Sequence, residues 1–185
     1  MALPLKYRKS KENIVASYNY TDVADGTGVV SLFGIRGLIS AGATKFYILS
    51  QNITYNDATL QSGNLKASDS PANFDLNPFS SSRVVNGNVV FTGKIVAGTA
   101  STIIFTIYRV RNGVATSLGT DNTGNKTTTE FMTKIPISSE LFKTGDTLRV
   151  AVSVTGGTGD EGLHVNSAPT THEPFKVYVP FDIKI

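Results

Sequence analysis

The chain has no cysteine and no tryptophan, and only two histidines among its 185 residues. Without cysteine there is no structural disulfide, thiolate nucleophile or cysteine-ligated zinc site. None is needed for stability, because a domain near 150 residues buries roughly 70% of the surface its unfolded chain exposes. Without tryptophan, the wide ring that most often stacks on sugar faces is missing. Charged residues make up only 17% of the chain against 40% hydrophobic, which places it outside the disordered class. No run of about 18 apolar residues is present, so no membrane partner is expected. The stretch from Lys6 to Asn13 is polar where a secretory leader would be apolar, so the expectation is a soluble chain starting at its own methionine.

Catalytic signatures are missing too. No Gly-x-Ser-x-Gly elbow occurs, and Gly156-Gly157-Thr158-Gly159 lacks the Lys-Ser/Thr and the helix of a phosphate loop. Asp160 and Glu161 are adjacent in an expected loop and give no convergent carboxylate pair for glycoside hydrolysis. The expectation from these absences is that the chain is not an enzyme and uses no cofactor or metal.

What is present is β structure. Thr102 to Arg111 and Val114 to Thr120 are rich in β-branched residues and are joined by Asn112-Gly113, the residue pair that a type I′ hairpin turn requires. Further strand candidates are Ile14–Tyr20, Lys45–Leu49, Val89–Val96, Thr128–Ile137, Thr147–Thr155 and Phe175–Ile185, spaced as in a sandwich. Val29–Phe33 and Gly37–Ile39 read as short runs broken by glycines at 34 and 37. Ser138 to Phe142 reads as a helical turn with Ser138 as its cap, ended by Lys143-Thr144-Gly145-Asp146. Residues 1–13 read as an extended basic N-terminal arm, and residues 14–185 as one β-sandwich domain with a long polar excursion at about 51–82.

The candidate functional residues fall in three places. Lys6, Arg8, Lys9 and Lys11 cluster in the arm, offset only by Glu12, and suit docking to an acidic protein surface rather than direct nucleic-acid binding. Both histidines, His164 and His172, fall with Asp160, Glu161 and Glu173 in a loop that could hold a ligand or a neighbouring subunit. Their spacing matches no zinc pattern. Tyr55, in the polar excursion, is a possible glycan or receptor contact, while Phe105, Phe131, Tyr178 and Phe181 read as core or interface.

With the strands in place, the hairpin at Thr102–Thr120, the run EFMTKIPISSELFKTGDTLRVAVSV from Glu130 to Val154 and the final FKVYVPFDI from Phe175 to Ile183 resemble the jelly-roll part of viral and phage virion proteins. They are distantly similar to trimeric jelly rolls of the tumour-necrosis-factor and C1q type. The resemblance implies an antiparallel jelly-roll-like sandwich located in a virion and assembled in the host cytoplasm, acting as a capsid decoration or fibre-head protein. Its partners would be copies of itself, as a trimer, together with other capsid or tail proteins. The alternative is a carbohydrate- or receptor-binding module facing a host surface glycan.

Overall fold

The computed structural model describes residues 27–39, 44–52, 63–97, 99–156, 162–165 and 174–182. The basic arm and the expected strand at 14–20 lie outside the described residues. Within them the chain forms eleven strands: β1 (Thr27–Ile39), β2 (Thr44–Ser50), β3 (Gly63–Leu65), β4 (Ala72–Asp75), β5 (Arg83–Val96), β6 (Ser101–Arg111), β7 (Val114–Asn122), β8 (Thr129–Phe142), β9 (Thr147–Gly156), β10 (Gly162–Val165) and β11 (Lys176–Asp182). The only helical turn among the described residues is a single 3-10 turn at Ala67–Asp69.

The strands make a jelly-roll-like sandwich. One layer runs β8-β5-β11-β1-β2, with β10 taking over from β11 beside the end of β5 and β3 paired to β10. The other layer runs β4-β9-β6-β7. The pairing is antiparallel except at Ile48↔Asp75, where β2 meets β4 in parallel and the sheet turns the corner between layers.

Alternation explains most of this. On β5, Val85, Val89, Phe91 and Ile95 are buried, and on β6 so are Ile103, Phe105 and Ile107, with polar or half-exposed residues between them. The inward rings meet at Phe105. It stacks on Phe91 with centroids 4.7 Å apart, and on Phe131 and Phe175 at 5.5 and 5.7 Å. Phe175 in turn meets Phe74 edge-on.

Several expectations are corrected. Val29–Phe33 and Gly37–Ile39 are one strand of 13 residues. Gly34 does not break it, because the position is where the Phe175 ring comes against the backbone: a Cβ there would lie 2.2 Å from that ring. The polar excursion contains β3 and β4, which are anchored by Leu65, Phe74 and Phe79 in the core. Ser138–Phe142 is strand rather than a helical turn. Ser138 and Ser139 together face the single residue Asn86, and the one extra residue is absorbed by a bulge there, where the Asn86 side-chain oxygen accepts the Ser139 N–H at 3.3 Å. Phe142 then re-enters register and is fully buried against Phe79. The Asn112-Gly113 turn forms as the sequence demands, with φ of 50° and 79°.

Phe105→Ala is expected to cost about 3–5 kcal/mol of stability through the lost transfer energy and the cavity left behind. Gly34→Ala is expected to cost about 1–3 kcal/mol by forcing the Phe175 ring aside. Urea denaturation checks both, and a Gly34→Ala midpoint equal to that of the parent chain would contradict the close approach.

Candidate functional site: the open side between β7 and β8

Among the described residues β7 pairs only with β6, and β8 only with β5, and the far edges of both strands lie on the same side of the sandwich. The layers come together here because Gly119 on β7 has no side chain. A Cβ at that position would sit 2.5 Å from the Ile135 side chain of β8. Beside this contact the Thr133 hydroxyl donates to the Asp121 carboxylate, tying β8 to β7.

Between the strands lies a cleft of about 380 Å³ lined by Thr116, Ser117 and Leu118 from β7, and by Pro136, Ser138 and Glu140 from β8, with Arg109 of β6 also reaching it. The Arg109 guanidinium is ion-paired with Glu140 across the cleft. Its Nε–H is buried with no acceptor in the structure. The cleft therefore offers hydroxyls, backbone groups and a neutralised ion pair. It suits an extended segment carrying hydrogen-bond acceptors better than a bound metal.

One end of this side is held by Asp146. It follows the β8–β9 turn, and its side chain is only 4% exposed. Its carboxylate accepts the Lys143 N–H at 2.7 Å and the Arg111 Nε–H and Nη2–H at 2.9 and 2.6 Å. Arg111 also donates to the Leu141 carbonyl. The Lys143-Thr144-Gly145-Asp146 step thus has a physical cause: the aspartate closes the turn and anchors the end of β6 to it. The Arg111 guanidinium holds the Asp146 carboxyl below its ordinary 3.8, and the Thr133 hydroxyl does the same for Asp121. Elsewhere Arg149 of β9 makes a two-pronged bond to Asp75 of β4, at 2.6 and 2.7 Å.

Of the sequence-predicted site residues, only His164 lies among the described ones. Lys6, Arg8, Lys9, Lys11, Tyr55, Asp160, Glu161, His172 and Glu173 lie outside the described residues. His164 is on strand β10 opposite Asn64 rather than in a loop, because Leu163 and Val165 on either side of it are fully buried. Tyr47 packs on Phe74 at the core, while Tyr108 and Tyr178 sit on different layers. Among the described residues no group of three or more His, Cys, Asp and Glu side chains converges to hold a metal ion.

No family profile and no curated sequence matches the chain. Solved structures resemble it in fold. An aminopeptidase from a marine sediment archaeon, Thaumarchaeota archaeon, superposes with a TM-score of 0.54 at 9% identity, covering 82% of this chain and 37% of its own. A CocE/NonD family hydrolase from Staphylococcus aureus gives 0.50 at 11% identity, covering 84% and 36%. The chain spans little more than a third of the length of these hydrolases. Infectious bursal disease virus, Gt strain, aligns at a TM-score of only 0.26, too low to establish a common fold. The expectation that the chain is not an enzyme is corrected by these likenesses: the fold it shares most clearly is one carried by hydrolases, and the missing catalytic motifs do not exclude enzymatic work.

Because the folded pKa of Asp146 lies below the unfolded one, its contribution is full above about pH 4 and is lost as pH falls through the folded value. Asp146→Ala is expected to cost about 1–3 kcal/mol near neutrality and to flatten the loss of stability between about pH 5 and pH 3. Urea midpoints across that range check it, and an unchanged acid slope would contradict the assignment.

Proposed function

We propose that this chain is an assembly module: a jelly-roll-like sandwich that associates with copies of itself and with neighbouring proteins along the open β7/β8 side, as a virion component of the capsid-decoration or fibre-head kind. The observation that carries this reading is the pair of strand edges that no other described strand extends, beside a cleft whose charges already neutralise each other. Such edges need covering, and symmetric self-association is one way to cover them. The basic cluster Lys6, Arg8, Lys9 and Lys11 adds attraction for acidic groups on a capsid or tail neighbour. The virion setting rests on the jelly-roll resemblance of the strand order.

A second reading is favoured by the aminopeptidase and CocE/NonD likenesses. The chain would then be a β-sandwich unit working with a hydrolase, its open side turned toward the catalytic part. Fold alone does not choose between the two.

Light scattering on the full chain and on residues 14–185 separates them. The assembly reading expects a multiple of the single-chain mass in both, which is 19.7 kDa for the full chain. A monomer in both, together with turnover of p-nitrophenyl esters or aminoacyl p-nitroanilides by the purified chain, would overturn it in favour of the second.

A further inference from the structure

The tip of the β6/β7 hairpin turns part of its inner face to the open side. On β6 the odd-numbered residues Ile103, Phe105 and Ile107 are buried in the core, and Arg109 and Arg111 continue the same face. Thr116 and Val114 of β7 lie directly opposite these two arginines and share that face. Arg111 reaches from it to the Leu141 carbonyl of β8, yet Val114 is 67% exposed and Thr116 is exposed as well. This end of the inner face is therefore uncovered, past the point where Asp121 and Thr133 hold β7 against β8. The cleft beside it also has one donor to spare, the buried Arg109 Nε–H. An apolar side chain for Val114 and a carbonyl for Arg109 are what an extended polypeptide supplies together.

We propose that this cleft is filled by residues 14–20 of a second copy of the chain, laid along it in extended form. Ile14, Ala16, Tyr18 and Tyr20 alternate with Val15, Ser17 and Asn19, which gives the segment an apolar side to set on Val114. It carries no charge, and the Arg109–Glu140 pair leaves the cleft without a net charge to balance. The basic residues Lys6, Arg8, Lys9 and Lys11 precede the segment and stay outside the cleft.

The chain's own geometry favours exchange between copies. Gly28, Phe181, Val85 and Glu140 make one row across β1, β11, β5 and β8, so β1 begins at the level of the cleft. A segment lying beside β8 is four strand spacings from β1, about 19 Å. Thr21 to Gly26, the six residues between, reach about 20 Å only when fully extended. Their Asp25-Gly26 pair is a turn former, which shortens that reach. A second copy meets no such restriction, and each copy then gives one segment and receives one. The inference rests on the self-association reading above and names what passes between the copies.

Separating donor from acceptor tests it, with full-length chains throughout. A16D/Y18D puts charge into the segment and leaves the cleft intact, whereas Thr116→Trp fills the cleft and leaves the segment intact. Light scattering should find a multiple of the 19.7 kDa chain mass for the parent. Each variant alone should associate about tenfold or more weakly. Mixed one to one, the two variants should form a complex of two chains, because the first offers a cleft and the second a segment. A misfolded chain would not be rescued by mixing, and circular dichroism verifies the fold of each. A parent that stays monomeric up to millimolar concentration overturns the self-association reading and the exchange with it. Association unchanged in either variant, or no complex on mixing, leaves self-association standing and overturns the exchange alone.

Discussion

Phe105 is where the two layers meet, and the placement of the other strands follows from it. Its ring stacks on Phe91 of β5 and touches Phe131 of β8 and Phe175 ahead of β11. Because side chains alternate across a strand, fixing Phe105 inward fixes the parity of β6 and, through pairing, of β7 and β9. Fixing Phe91 does the same for β5 and β8. A slip of one residue in β8 would put Phe131, Thr133 and Ile135 in water and Glu130, Met132 and Lys134 in the core. The exposed face of the edge is therefore as strongly specified as the core that lies behind it.

The charges serve the ends of the strands. Arg111–Asp146 closes the β8–β9 turn onto β6, Arg149–Asp75 joins β9 to the edge strand β4, and Arg109–Glu140 spans the cleft. These pairs are partly exposed, so their value lies in positioning more than in bulk stability. With them satisfied, the open side presents hydroxyls and backbone groups beside a neutralised ion pair. Hydrolases of other organisms carry a fold of this kind within much longer chains. Fold alone does not set the role of such a sandwich.

Much of the architecture was legible from alternation and turn chemistry. The Asn112-Gly113 hairpin and the strands around it announced themselves. Three features were hidden for physical reasons. Gly34 looked like a break because its purpose, room for the Phe175 ring, depends on a residue far away in sequence. Ser138-Ser139 mimicked a helix cap because a bulge and a cap use the same small polar residues. β10 is too short to show a period, although Leu163 and Val165 alternate around His164. The candidate site was the least legible part, since the hydroxyls and the Arg109–Glu140 pair that line it come from three strands that meet only in the fold.

The central claim is the proposal that the β7/β8 side of the sandwich is where the chain associates with copies of itself. Hydrogen exchange of the backbone amides of β7 and β8, followed over a range of protein concentrations, addresses it most directly. The account predicts exchange on that side that slows as concentration rises, while amides between β1 and β2 are unchanged. Exchange on that side that does not depend on concentration, in a sample that light scattering shows to be oligomeric, would contradict it.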